Sequence, residues 1–299
     1  MSDSPPSTPD WVARLIEHAR AADGAPPFSD QSLVDFRVGT RELVAIDQDA
    51  AALVGETDAE FVVDPDARGR GLGTELLETL LAGGATLFWA HGDAAAARAL
   101  AASHGLSPVR ELLHFVGEVS ITPGSAAATR PEVDEDQPSP EVDEDQPSGR
   151  VVVDEGGGVI ETFVPNEDED EWVALNAAIF ANHPEQGSVT RADLEQLETE
   201  SWFRADNFLV LRRDGRMIGY CWLKVEGDRG EFYVVGVSPE HHGEKLGSLL
   251  FDAGLDRLRE LGIHASHLYV EADNAAALRL YRSRGFSQDS IDIQYATNS

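Results

Sequence analysis

The stretch from Ile121 to Arg150 limits what this chain can fold into. It reads ITPGSAAATRPEVDEDQPSPEVDEDQPSGR. The nonapeptide PEVDEDQPS occurs in it twice, at Pro131–Ser139 and Pro140–Ser148, with four carboxylates and no base in each copy. Proline withholds backbone donors and like charges repel, so such a segment has no means of packing. It reads as an extended, solvated linker, with an interaction tail as the alternative. The 299-residue chain therefore divides into a segment 1–122, a linker 123–150 and a segment 151–299, and each flanking segment is long enough to be a domain.

Charge narrows the function. A formal net charge of −31 opposes phosphate backbones and anionic membranes, so neither nucleic acid nor a membrane is an expected partner. A local cationic loop is still compatible with a small anionic cofactor. The single cysteine, Cys221, rules out an internal disulfide and any multi-thiolate metal site. Within the strand-like GYCWL it reads as a small buried hydrophobe. His241, His242, His264 and His267 lack ligand-like carboxylate partners in sequence, so no metal is expected. No apolar run reaches the length of a membrane span. The opening MSDSPPSTPDWVARL has no basic region followed by an apolar run. The expectation is a cytoplasmic protein, and a monomer, since two fused domains can take the place of a homodimer.

The two segments share an order of elements. Each runs strand, glycine or charged loop, helix, strand, helix, then Gly and an apolar residue, which is most simply a duplicated domain. In the second segment, Glu231–Val237 is a predicted strand, followed by a helix from Leu246 that Gly262 stops. Ser266–Glu271 is the next strand. Asp273 or Asn274 caps a helix over Ala275–Arg284, and a last strand region runs from Phe286 to Tyr295. Upstream, Phe208–Arg212 and Arg216–Val225 form a hairpin about Asp214-Gly215. Helices are expected at Glu167–Phe180 and Arg191–Glu200, the latter capped by Thr190. The first segment repeats this with strands at Leu43–Asp47, Ala51–Val54, Ala59–Val63, Thr86–Ala90 and Leu112–Val119. Its predicted helices are Leu72–Leu81 and Ala94–Ser103.

The loops carry the chemistry. Arg68-Gly69-Arg70-Gly71-Leu72-Gly73 follows a strand and opens a helix. Glycines permit a tight wrap, and free amides at a helix start attract phosphate. The loop has neither the Walker Gly-Lys-Ser/Thr nor the dinucleotide fingerprint. By itself it is equally an ordinary helix entry. Its counterpart is His242-Gly243-Glu244-Lys245-Leu246-Gly247, with lysine in the place of Gly71.

The strand–RxxGxG–helix pattern resembles the GCN5-related N-acetyltransferases (GNAT). The tandem layout, AIFANHPEQG (Ala178–Gly187), GEFYVVGVSPE (Gly230–Glu240) and LYVEADNAAALRLYRSRGF (Leu268–Phe286) narrow the resemblance to a tandem subfamily. The resemblance implies a mixed α/β (α+β) fold of two tandem acyl-CoA N-acyltransferase domains. Each has a mixed, splayed central sheet flanked by helices. The first domain is expected to be non-catalytic and the second catalytic. Acetyl-CoA is the implied cosubstrate, and the implied acceptor is the cysteinyl amine of a small, thiol-containing Cys–glucosamine–inositol pseudodisaccharide.

The resemblance also implies site residues. In the second segment the cofactor lies along Tyr233, Val234, Val235, Gly236 and Val237. Its pyrophosphate reaches His242, Gly243, Glu244, Lys245, Leu246 and Gly247, and Asn274 touches it. In the first segment the matching residues are Val62, Val63, Arg68, Gly69, Arg70, Gly71, Leu72 and Gly73. Glu231 is the implied general base and Tyr281 the implied general acid, with a backbone donor near Val235 for the thioester carbonyl. Glu185, Trp222, Lys224 and Glu231 are the substrate-side candidates. Relatives often have histidine where this chain has Cys221. Glu60, at a strand start, parallels Glu231, but the following helix has no tyrosine. As bare residues, a Glu at a strand start is usually solvated and a helical Tyr usually packs in a core. Two other readings stay open: acetylation of a protein N-terminus or another small amine, and a non-catalytic acetyl-CoA-binding protein.

Overall fold

The computed structural model describes residues 8–119, 156–181, 183 and 186–298. The linker expected at 123–150 and the candidate Glu185 lie outside the described residues. Two helices that the sequence reading left out open the described chain, α1 (Asp10–Asp23) and α2 (Asp30–Val38). Val12, Leu15 and Ala19 give α1 one buried face, and Gly24 ends it in the left-handed region. Ser29 caps α2 by accepting from the Ser32 amide.

The chain continues through β1 (Glu42–Ile46), β2 (Ala50–Val54), β3 (Asp58–Val63), α3 (Leu72–Ala82), β4 (Leu87–Ala90), α4 (Ala95–Ser103) and β5 (Leu106–Glu118). Beyond the linker come β6 (Val159–Thr162), α5 (Glu169–Ile179), α6 (Arg191–Glu198), β7 (Phe208–Arg213), β8 (Arg216–Glu226) and β9 (Arg229–Val237). The last elements are α7 (Leu246–Glu260), β10 (Ala265–Glu271), α8 (Ala275–Ser283) and β11 (Ser287–Thr297). Thr190 and Asp193 form a reciprocal capping box on α6, and the Asn274 side chain caps α8 by accepting from the Ala277 amide.

The chain forms two compact units. The first is Met1–Phe115 with Tyr269–Arg282 and Ser287–Ser299; the second is Val116–Leu268 with Ser283–Phe286. In the first unit the strands neighbour one another in the order β1-β2-β3-β4-β11-β5. The closing strand β11 thus belongs with the first unit, antiparallel to β4 from Ile293↔Ala90 to Ala296↔Leu87. Helices α1 and α2, through Leu15, Ala19 and Phe36, and Phe28 from the connection between them cover one face against Leu53 and Val62. Leu76, Leu77 and Leu80 of α3 cover the other, with Phe88, Ile293 and Tyr295.

The second unit has the order β10-β9-β8-β7-β6. Trp172, Leu194, Phe208, Tyr220, Trp222 and Val234 fill one face, where the Phe208 and Trp222 rings stack at 4.4 Å. On the other face Phe232 stacks on Phe251 at 4.1 Å. Helix α7 comes this close because of Gly254: a Cβ there would meet the Phe232 ring at 2.6 Å and Cys221 Sγ at 2.8 Å. Cys221 is fully buried, and burial pushes its thiol well above the usual range. Trp172 has no exposed surface and meets Phe208, Tyr220 and Trp222 edge-on. Trp172→Ala is expected to cost about 3–5 kcal/mol, read as a lowered urea midpoint for the second unit.

Candidate active site

Each unit contains a parallel strand pair that stops pairing early. In the first unit β3 and β4 pair from Asp58↔Leu87 to Glu60↔Trp89 and no further. A cavity of about 380 Å³ opens where they part, lined by Phe61, Val62, Val63 and Trp89 and by Arg68, Gly69, Gly71, Leu72 and Gly73 of the following loop. In the second unit β9 and β10 pair from Ala265↔Arg229 to Leu268↔Phe232. The remainder of β9, Tyr233–Val237, lies outside that ladder.

The loops that follow β3 and β9 have the same construction. Each begins with a single 3-10 turn, Pro65–Ala67 or Pro239–His241. The next side chain folds back on the last strand carbonyl. Arg68 Nε donates to Val63 O at 3.2 Å, and His242 Nε2 donates to Val237 O at 3.2 Å. Two residues in each loop then have positive φ: Gly69 (75°) and Gly71 (89°) in the first, Gly243 (88°) and Lys245 (61°) in the second. Lys245 adopts a conformation in which glycine meets no steric cost. Among the described residues, no side chain caps the start of α3 or α7, so the first-turn amides are left for solvent or an anion. This fits a pyrophosphate: clustered amides, a wrapped backbone and a cation beside them.

The two strands differ at one position. β2 and β3 pair without interruption from Ala50↔Val63 to Val54↔Ala59. β8 and β9 shift register, with Trp222↔Val234 followed by Leu223↔Phe232. Tyr233 is therefore an inserted residue, a β-bulge. It lets Phe232 pack toward α7 while Val234 joins the Trp222 face. Tyr233 meets the rings of Trp202 and Trp222 at 5.3 and 5.2 Å.

Glu231 is half-buried and directly opposite Lys224 in the β8–β9 register, so the two side chains share one face of the sheet. Lys224 is nearly buried. Its Nζ lies 3.1 Å from Glu226 and 5.4 Å from the centre of the Trp202 ring. Trp222 has no exposed surface, which assigns it to the core that supports Tyr233 and Trp202. Asn274 and Tyr281 lie on the segment Tyr269–Arg282 of the first unit, with Tyr281 buried on α8.

Glu60 does not occupy the place of Glu231. It stands three residues before Val63, as Val234 stands three before Val237, and its carboxylate is already engaged. It accepts from the Ser29 amide (2.7 Å), Ser29 Oγ (2.8 Å) and Ser32 Oγ (2.7 Å). His91, which lines the cavity, has Nε2 at 3.5 Å from Glu60 and Nδ1 at 2.9 Å from Asp292. Sequence reasoning had no signal for this network, because Asp292 comes from the far end of the chain. Burial opposes charge on His91, but Asp292 and Glu60 outweigh it and raise the imidazole from its ordinary 6.5 to about 10. Among the described residues, the one group spaced to share a cation is His18, Asp64 and Asp66, and none of the four histidines singled out from sequence belongs to it.

Comparison with known proteins agrees with this geometry. Residues 172–286 match the model of the acetyltransferase (GNAT) family. Among solved structures, a GCN5-related N-acetyltransferase from Sphaerobacter thermophilus superposes with a TM-score of 0.64 at 20% identity, covering 99% of this chain and 96% of that one. A tandem GNAT protein from the clavulanic acid biosynthesis pathway gives 0.63 at 18%, covering 97% and 96%. These establish the fold: a mixed α/β tandem GNAT architecture. Among curated proteins, the mycothiol acetyltransferase of Clavibacter michiganensis is 42% identical, covering 96% of this chain and 92% of its own length. That of Sanguibacter keddieii is 39% identical with the same coverage. The chain belongs to the mycothiol acetyltransferase family. It is an acetyl-CoA-dependent N-acetyltransferase.

The His91 network gives a signed prediction. Its folded pKa lies above the unfolded value, so its stabilisation is complete below about pH 6.5 and is lost as pH rises through about 10. The urea midpoint of the first unit should fall between pH 7 and pH 10, and His91→Gln should remove that part of the slope. An unchanged slope in the variant would show that His91 is not held charged.

Proposed function

We propose that the chain transfers acetyl from acetyl-CoA to the cysteinyl amine of the Cys–glucosamine–inositol precursor, yielding mycothiol and CoA, and that the second sequence segment, 151–299, carries the chemistry. The observation that carries this assignment is the bulge at Tyr233 beside the early end of the β9–β10 ladder. Bulges re-aim side chains next to active sites, and β3 pairs with β2 without one. The names of the relatives support the substrate.

Acetyl-CoA supplies a thioester whose carbonyl carbon accepts the amine, forming a C–N bond as the C–S bond breaks. In this reading the edge of Tyr233, Val234, Val235, Gly236 and Val237 orients the donor. The loop from His242 to Gly247 holds its pyrophosphate, and Asn274 adds a contact. An alkylammonium is no nucleophile, so Glu231 takes the nitrogen's proton, directly or through a water. Tyr281 returns a proton to the departing thiolate. The Val235 amide donates to the thioester oxygen as charge develops there. Glu231 and Lys224 face the acceptor, and Trp222 supports that wall from the core. The first cradle, Val62–Val63 and Arg68–Gly73, holds a donor molecule without turning it over. The acidic chain works as a cytoplasmic monomer on a small molecule, with no nucleic acid, membrane or metal partner.

The test is acetylation of the purified precursor, with free thiol and product mass followed together. Glu231→Gln should lower kcat on the order of 10²–10⁴-fold, with the loss relieved at high pH where the free amine is abundant. Tyr281→Phe should lower kcat at least tenfold with KM little changed. Product formation by the wild type that neither substitution slows would remove both roles. Donor binding with no product would favour a different acceptor or a binding function.

A further inference from the structure

The second cradle has an acid where a phosphate-binding loop is better served without one. Glu244 sits between Gly243 and Lys245, in the position that Arg70 holds in the first cradle. Its carboxylate is tied at both oxygens. Arg213 Nη1 donates to Oε2 at 2.8 Å, and His241 Nδ1 donates to Oε1 at 3.0 Å. Arg213 is the last residue of β7 and is held by close packing. A Cβ on Gly156 would lie 2.6 Å from its Nη2, so the backbone at Gly156 lies directly against the guanidinium. The pairing with Arg213, then with His241, holds the Glu244 carboxyl below the usual carboxylate range, so it is a full negative charge at neutral pH.

The first unit has the same loop-to-hairpin contact with the signs exchanged. There Arg70 Nη1 lies 4.0 Å from Asp49, in the turn between β1 and β2, as Arg213 and Glu244 join the β7–β8 hairpin to the second cradle. One half places its cation in the cradle. The other half places an acid there and a cation behind it.

We infer that Arg213 is a positioning residue for the donor: it draws the Glu244 carboxylate back and neutralises it, so that the second cradle presents Lys245 and the α7 amides to the pyrophosphate. The inference rests on the reading of this loop as the acetyl-CoA cradle. An uncompensated carboxylate within several ångströms of a diphosphate opposes binding by Coulomb repulsion. A carboxylate held by a guanidinium opposes it far less.

The test is a set of variants assayed on the full-length protein by turnover and by calorimetric titration with CoA. Arg213→Gln should raise KM for acetyl-CoA about tenfold and weaken one class of CoA site about as much, with kcat within about twofold of wild type. Adding Glu244→Gln to Arg213→Gln should return KM and CoA affinity to within about twofold of wild type, because the charge that Arg213 held is gone. A double variant as weak as Arg213→Gln would show that Arg213 acts only through the fold of the loop and overturn the inference. So would an Arg213→Gln protein with unchanged KM and CoA affinity. A wild-type protein that binds no CoA would instead overturn the cradle reading on which the inference rests.

Discussion

The parting of β9 from β10 after Leu268↔Phe232 is the constraint on which the second cradle depends. A parallel ladder that continued would bury the edge of β9 in strand pairing. Ending it leaves Tyr233–Val237 leading directly into a loop whose turns need positive φ at Gly243 and Lys245. The same event after Glu60↔Trp89 opens the cavity of the first unit. The end of a parallel ladder therefore precedes each of the two cradle loops. The parting is affordable because each strand keeps its other neighbour: β3 pairs along its length with β2, and β9 with β8.

The duplicated halves show which parts of this design are general and which are specialised. The back-folded side chain on the last strand carbonyl recurs with different chemistry, a guanidinium in Arg68 and an imidazole in His242. The bulge does not recur. Without it, Glu60 stands where Val234 stands and is consumed in holding Ser29, Ser32 and His91. With it, Glu231 and Lys224 face each other across β8 and β9 on the side of the sheet that carries Trp202 and Tyr233.

Much of this was legible in the sequence because it rests on local rules. Thr190 with Asp193, Asn274 before an alanine-rich helix, and Asp214-Gly215 between apolar runs each announce a cap or a turn. The expected strands and helices lie within a few residues of those observed, except that β5 begins at Leu106 rather than Leu112. What was hidden is non-local. The assignment of β11 to the first unit depends on pairing with β4, some two hundred residues earlier in the chain, and no local signal records a partner. Tyr233 reads as one more residue of an apolar strand until the register with β8 shows it to be inserted. Arg213 looks like hairpin charge until Glu244 appears beside it. Helices α1 and α2 escaped because proline and charge dominate their surroundings, although Val12, Leu15 and Ala19 keep a helical spacing.

Where the acetyl group goes decides between the readings of this site. Turnover of the thiol-bearing precursor with isotope-labelled acetyl-CoA, followed by the carbonyl resonance of the product, separates the two nucleophiles that the acceptor offers. N-acetylation gives an amide carbonyl on the cysteinyl nitrogen with the precursor's thiol still free. A thioester carbonyl as the first product, or label left in acetyl-CoA, would contradict it.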